Sequence, residues 1–218
     1  MNQDQKVHAG FFSFTEITAP SEHHAYNEWH MLDHMPEQYP LHGIVYGQRW
    51  VSTPACRAAR AVSGELLDPI HYVTLYLMAA PLDETLRAFY ALGQALHDAD
   101  RFHLHRKAWL SGPFPLGEQR AASRVLVSPK AVPYRPSKGL YVVVQDLPRP
   151  EIDLDEWCTQ TGVAGAWSFA DEDRRISVAW LDDDWRSVGT KLVPEDLTGV
   201  EFAGPFESIT PWQWNWFD

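Results

Sequence analysis

Two separate series of strand-like runs in this chain close on the same tripeptide, Gly-Pro-Phe, at residues 112–114 and 204–206. Ahead of the first stand GIVYGQRWV (43–51), HYVTLYLMA (71–79), a helical stretch and AWLSGPF (108–114). Ahead of the second stand GVAGAWSFA (162–170), RRISVAWLD (174–182), a shorter helical stretch and EFAGPF (201–206). A unit repeated within one chain constrains the architecture more than any single motif, because both copies must solve the same packing problem. Each half also opens on a β-type run, VHAGFFSFTEI (7–17) and KGLYVVVQDL (138–147), whose aromatic and β-branched residues suit a pleated, half-buried surface.

A helix candidate follows each opening strand, so each half reads β-α-β-β-α-β, an antiparallel four-stranded sheet with both helices on one face. The open faces then cover each other. The expected fold class is α+β: two ferredoxin-like repeats, their sheets packed face to face as an α/β barrel, paired within the chain or across a dimer. SPKAVPYRPS (128–137) reads as the linker, because proline lacks a donor and resists both helix interiors and central strands. The organisation is thus 1–127 for the first repeat, 128–137 for the linker and 138–218 for the second repeat. The spacing of Leu82, Leu86, Phe89, Tyr90, Leu92 and Leu96 predicts an amphipathic helix over 82–99, with Asp83 and Glu84 at its positive end. The first helix is expected to start after Pro20, with Ser21 as N-cap and His24 at the capping-box position.

A length of 218 residues and 45% hydrophobic content can bury a proper core, which argues against disorder. The formal net charge of -11 disfavours nucleic acid and anionic membrane as partners, and favours a small hydrophobic substrate. Cys56 and Cys158 stand apart without metal or redox spacing, so no disulfide framework is expected. The first ten residues lack a secretory pattern and no apolar run is long enough to span a bilayer, which places the chain in the cytoplasm. Ten Trp, ten Phe and eight Tyr exceed what plain core filling requires, and line either a sticky interface or an aromatic pocket.

The chemistry concentrates in HHAYNEWHMLDHMPEQYPLHG (23–43), which holds His23, His24, His30, His34 and His42, five of the ten histidines. On a helix running to about Met35, Tyr26, His30, Asp33 and His34 share one side. Pro36 should push Met35 away from helical torsion angles and leave His34 at a break, aimed at a cavity. Imidazole exchanges a proton near neutral pH, and a neighbouring carboxylate, Asp33 or Glu28, can fix its tautomer. Tyr46 and Arg49 on the next strand are placed to polarise or bind a substrate oxygen.

Glu28-Trp29-His30, the run Asp33-His34-Met35-Pro36-Glu37 and the His42-Gly43-Ile44 turn resemble the dimeric α/β-barrel superfamily, in particular its EthD-like branch. The resemblance implies a cofactor-poor enzyme acting on hydrophobic ring compounds in a pocket between sheet and helices. Members of that group are isomerases, polyketide cyclases and cofactor-independent monooxygenases, and some relatives bind haem. His34 matches the helix-end histidine and Tyr46 a strand-borne proton donor. His42 departs from the proline usual before that glycine, which either loosens the turn or turns His42 into the site. The second half, DEWCTQTGVAG (155–165), has no histidine and reads as scaffold.

The candidate catalytic residues are therefore His30, Asp33, His34 and Tyr46, and the candidate substrate-binding residues Tyr26, Trp29, His42, Arg49, His103 and His105. His103 and His105 alternate on an expected strand, as exposed side chains, a second acid-base pair or haem ligands. No metal site is expected, because His30 and His34 at i and i+4 lack a third ligand fixed by spacing. Cys56 has no base beside it in sequence. PWQWNWFD (211–218) puts three indoles on one face of an extended segment, for packing or for closing a pocket. The leading function is His-based proton transfer, meaning isomerisation, cyclisation or elimination on an aromatic or lactone-like substrate, without a cofactor and in a homodimer. The alternatives are a cofactor-free or haem-dependent oxygenase and a non-catalytic ligand-binding or stress-associated module.

Overall fold

A computed structural model describes residues 6–217. Eight strands form one closed antiparallel barrel, and the fold class is mixed α+β. The first half contributes β1 (Val7–Ile17), β2 (Ile44–Val51), β4 (Tyr72–Ala79) and β5 (Arg106–Ala121), hydrogen-bonded in the order β2-β4-β1-β5. The second contributes β6 (Gly139–Asp146), β7 (Val163–Ala170), β8 (Arg174–Leu181) and β9 (Val200–Ser208) in the order β7-β8-β6-β9. β3 (Val62–Ser63) is a two-residue addition to β9 that the sequence did not signal.

The halves join edge to edge rather than as two stacked sheets. β5 pairs with β7 through Gln119 with Trp167 and Arg120 with Ala166, while β2 pairs with β9 through Trp50 with Ser208 and Val51 with Glu207. Closure gives the edge amides and carbonyls partners that a stacked pair would have left exposed. It is completed within one chain, so the expected homodimer is not needed to finish the sheet. Both Gly-Pro-Phe tripeptides lie near these seams. Pro113 faces Phe11 across β1 while the β7 pairing starts only at Leu116, and Pro205 faces Tyr141 between the β3 and β2 contacts of β9. A residue without an amide donor loses no ladder bond in such a gap.

Period-two alternation divides the side chains. Phe12, Phe14, Val73, Leu75 and Leu77 from the first half meet Val142, Val144, Trp167, Phe169 and Phe206 from the second inside the barrel. The interior is filled, with Trp50, Trp167 and Trp180 fully buried. The opposite face of each half-sheet carries helices. On the first half these are α1 (His23–Trp29), a π-turn (His30–His34), α2 (Met35–Gln38) and α4 (Leu82–Asp98), whose Leu82, Leu86 and Phe89 pack on Phe11, Tyr76 and Met78. The short α3 (Pro54–Ala58) follows β2, capped by Thr53. On the second half α5 (Leu154–Thr159) and α6 (Trp185–Val188) lie over Tyr141, Val143 and Leu181. Trp157 and Leu192 fill that layer. No helix among the described residues is long and apolar enough to cross a membrane.

Three local expectations are corrected, and the linker gains a structure. Ser21 is not an N-cap: a 3-10 turn over Pro20–Glu22 leads into α1, and Ala19 stands at its cap position without a side-chain bond. The proline-rich stretch between the halves is ordered and packed. It forms a 3-10 helix, Pro129–Tyr134, with Val132 buried in the barrel core and the Pro129 carbonyl accepting from Trp167 Nε1 at 3.0 Å. The three C-terminal tryptophans do not line one face of an extended segment, because the chain turns at Trp212 (φ 67°): the exposed Trp212 meets Trp214 at 5.7 Å between ring centroids, Trp214 is buried beside His24, and Trp216 packs near Tyr26 and Tyr72. Phe102 to His105 is a turn rather than a strand, β5 starting only at Arg106.

Candidate active site

The helix that carries the histidines does not break at Pro36. Met35 keeps helical torsion angles (φ -64°, ψ -43°), and the disturbance appears one turn earlier as the π-turn His30–His34. Proline has no amide to donate and its ring collides with the carbonyl four residues back, here Leu32. Widening that turn relieves the clash while the helix continues, and such π-turns recur at functional sites. The imidazoles of His30 and His34 meet at 5.0 Å between centroids, at 74°. Trp29 stacks on His34 (4.7 Å, 26°) and anchors itself by donating Nε1–H to the Arg101 carbonyl at 2.7 Å.

Both histidines open on a cavity of about 300 Å³ between the outer face of the first half-sheet and its helices. Its floor is Phe11, Ser13 and Thr15 of β1 with Thr74 and Tyr76 of β4, the residues that alternate with the barrel-filling ones. Its roof is Tyr26, Gln38 and the Phe89, Tyr90 and Gly93 stretch of α4. Phe102 and Arg106 stand at the side, next to His34. Five polar atoms here are buried without a protein partner among the described residues: Nδ1 of His30, Nδ1 of His34, Oε1 of Gln38, Oγ1 of Thr74 and the Tyr76 hydroxyl. Natural proteins rarely leave such groups unpaired, so their convergence on one cavity marks a place for a ligand with its own polar atoms.

The electrostatics are one-sided. Burial, then the Arg49 guanidinium, then His34 and Arg106 hold His30 well below the ordinary imidazole range. Burial with Arg106 and Arg49 lowers His34 to about 4, against a smaller opposing pull from Asp33. Both rings are neutral at physiological pH and keep an acceptor nitrogen. Burial raises the Tyr76 hydroxyl, which remains a proton donor. Arg49 is buried, donates to Asn27 Oδ1 at 3.1 Å and lies over the rings of Tyr26 (4.9 Å) and Tyr72 (5.3 Å). Asn27 in turn donates to the Tyr72 hydroxyl at 2.8 Å, which fixes the guanidinium behind Tyr26.

Of the sequence candidates, the structure brings Tyr26, His30 and His34 to the cavity, with Trp29 and Arg49 directly behind them. Asp33 is turned away from the imidazoles and accepts from Arg101 Nη2 at 2.5 Å, which also holds Glu37 at 2.8 Å. It is not positioned to fix a tautomer. Tyr46 points to the other face of its strand: it pairs with Leu77, packs against the barrel core and Tyr134, and donates to Gln48 Oε1. The period-two alternation that brings Arg49 to the helix side sends Tyr46 inward. His42 is exposed on the turn closed by the Ile44 amide on the Leu41 carbonyl, with Gly43 at φ +91° against Thr85, where a side chain would clash. His103 sits behind Tyr26 and 3.4 Å from Glu22, and His105 is exposed. Cys56 is buried and its thiol is pushed up to about 12 by burial, which rules out a ready thiolate.

Arg106, Gln38, Thr74, Tyr76 and Gly93 were missed. A signal was present for two of them: in HYVTLYLMA, Tyr72, Thr74 and Tyr76 alternate with Val73, Leu75 and Leu77, and polar residues on a helix-covered sheet face indicate a hollow there. Among the described residues no group of three His, Cys, Asp or Glu side chains converges as a metal site would require.

The fold has a structural counterpart. A crystal structure described as an anthrone oxidase-like protein superimposes with a TM-score of 0.51 at 10% identity, over 95% of this chain and 93% of that one. At that identity the likeness is one of fold alone. In this α+β barrel both halves come from one chain. A candidate monooxygenase from Lactobacillus acidophilus aligns at a TM-score of 0.39 and 9% identity, over 92% of this chain and 93% of that one. No family model matches the sequence. No curated protein matches it either.

Proposed function

We propose that this α+β barrel is a cofactor-independent oxygenase of hydrophobic ring compounds, in which a neutral histidine removes a proton and the resulting carbanion reacts with O2. The observation that carries the reading is the pair His30 and His34, neutral, each with an unpartnered Nδ1, on an aromatic-lined cavity beside two guanidinium groups. A base and a nearby positive field are what an enolate requires to form at low cost. A ring CH2 flanked by aromatic rings loses a proton to imidazole, and its charge delocalises onto the ring oxygen. The anion passes one electron to O2, the two radicals join to form a C–O bond, and the imidazolium returns the proton to give a hydroperoxide. Loss of water leaves a carbonyl: CH2 plus O2 becomes C=O plus H2O. The fold shared with a protein described as anthrone oxidase-like favours this over the isomerisation, cyclisation or elimination that share its first step.

A cavity on the order of 150 Å³ takes one benzene ring. At about 300 Å³ the site suits a fused ring system and is too small for a four-ring macrocycle, so haem does not fit there and no step is routed through it. We further read the two halves as ferredoxin-like repeats of the EthD-like type, from the matching strand orders β2-β4-β1-β5 and β7-β8-β6-β9. The second has its helix layer filled by Trp157 and Leu192 and serves as scaffold. Oxygen uptake by purified protein supplied with anthrone tests the function, with one O2 consumed per quinone formed and loss of turnover in His30→Ala and His34→Ala. Exchange of the ring CH2 hydrogens with deuterated solvent without oxygen uptake would assign proton transfer instead. Binding that is unchanged in both variants, without either reaction, would assign a ligand-binding module.

A further inference from the structure

The cavity gathers positive charge that no carboxylate among the described residues is paired with. Arg101, Arg120, Arg124, Arg149, Arg174 and Arg175 each sit on a carboxylate. Arg57 and Arg60 have backbone carbonyls instead, those of Pro69 and Ile70 for the first and of Asp68 and Ile70 for the second. Arg106, which lines the cavity, has neither an ion pair nor a side-chain hydrogen bond among the described residues, and lies over the rings of Phe102 (4.6 Å) and Trp29 (5.7 Å). Arg49, behind Tyr26, has Nε and Nη1 buried and unpartnered.

Four carboxylates of the surrounding elements are engaged elsewhere. Asp33 and Glu37 hold Arg101, Glu22 faces His103, and Glu16 accepts from Trp109 Nε1 at 2.8 Å. Arg106 is half-buried, and ring faces compensate a partly desolvated guanidinium only in part; Arg49 is fully buried, where a cation without an anion is unfavourable. The chain as a whole carries a net charge of -11, so a locally cationic hollow is a built feature and not a by-product of composition.

We propose that the ligand of this cavity is an aromatic acid, bound through its ionised carboxylate to Arg106 with its rings against Phe11, Tyr26 and Phe89. A carboxylate matches the guanidinium fork with two oxygens, and it is charged at neutral pH, where a phenol with a pKa of about 10 is not. Arg49 adds field without contact. The proposal rests on the reading of this cavity as the active site and narrows its substrate to ring compounds bearing an acid group.

Calorimetric titration with 1-hydroxy-2-naphthoate and 1-naphthol at neutral pH tests it on wild type, Arg106→Gln and Arg106→Lys. A charge-assisted pair predicts that wild type prefers the acid by about tenfold or more. Arg106→Gln should abolish that preference while keeping its affinity for naphthol, and Arg106→Lys, which keeps the charge and loses the fork, should retain only part of it. Equal affinity of wild type for the two probes, failure of the naphthoate to bind, or a preference that survives Arg106→Gln would overturn the proposal. Should the Gln variant fail a thermal-unfolding check, an undiminished preference in Arg106→Lys overturns it instead. Oxygen uptake with neutral anthrone but no preference for the acid sinks this inference and leaves the oxygenase standing; acid preference without oxygen uptake with any ring ketone does the reverse.

Discussion

Gly93 offers a direct test of whether the cavity is where substrate binds. It lies within α4, lines the hollow, and a Cβ built on it would have nothing within 4 Å. Glycine in a helix interior costs about 1 kcal/mol relative to alanine, so Gly93→Ala should stabilise the fold by up to that amount. For a chain of this size that corresponds to a rise in Tm of about 2–4 °C. Gly93→Leu retains most of the helical gain and directs three further carbons into the roughly 300 Å³ that a fused ring must occupy. Overfilling a packed site costs about 1–3 kcal/mol, a factor of roughly 5–150 in affinity. Differential scanning fluorimetry and oxygen-uptake kinetics on the two variants should therefore diverge: both as stable as wild type or more so, the leucine variant alone with a KM for fused-ring substrate raised by about that factor. Marked destabilisation of Gly93→Ala would mean that the space beside Gly93 is not open. Unchanged kinetics in Gly93→Leu would remove the cavity from the reaction.

Replacing His34 by Ala should lower kcat/KM by about 10²–10⁴ with little change in the far-UV spectrum, as expected for loss of a general base; stopped-flow or oxygen-electrode rates read this directly. Because the neutral ring is the active form and His34 titrates at about 4, kcat/KM should stay level through the ordinary imidazole range and decline only toward that pH. A limb near the unperturbed value of about 6.5 would contradict the burial argument. His71 is lowered to about 3 by burial and by its neighbours His23, Arg57 and Arg60, and its Nδ1 accepts the Ile17 amide at 3.1 Å. A folded-state pKa below the unfolded one stabilises the fold above about pH 6.5, and that stability is lost as pH falls from there toward about 3. Unfolding free energies from urea titrations across this window should fall less steeply in His71→Asn, by roughly 1 kcal/mol per pH unit, whereas parallel slopes would refute the assignment.

Much of the strand framework was legible because period-two alternation and β-branched content are local properties. Each of the eight runs quoted from the sequence falls on one of the eight barrel strands, although AWLSGPF marks less than half of β5, and the stripe from Leu82 predicts α4 to within a residue. His30 and His34 were legible as a pair through their i, i+4 spacing. Tyr46 and Asp33 were misassigned for geometric reasons. A strand sends neighbouring side chains to opposite faces, which put Arg49 on the helix side and Tyr46 in the barrel, and Asp33 found a long-range partner, Arg101, 68 residues away. Arg106 could not be singled out, since its significance lies in the lack of a carboxylate partner, a property of the folded surroundings and not of the residue.

The sequence alone determined that strands would alternate in facing, that one helix would be amphipathic, and that imidazoles would cluster in the first half and be missing from the second-half segment expected to match them. Only tertiary structure decided that the two half-sheets close edge to edge into one ring, that a π-turn absorbs Pro36 and directs both rings at a hollow, and that two guanidinium groups stand beside it without a counter-ion among the described residues. Periodicity is written in neighbouring residues and survives in any context. Charge compensation and cavity shape depend on which distant segments meet, and burial sets how strongly those meetings count.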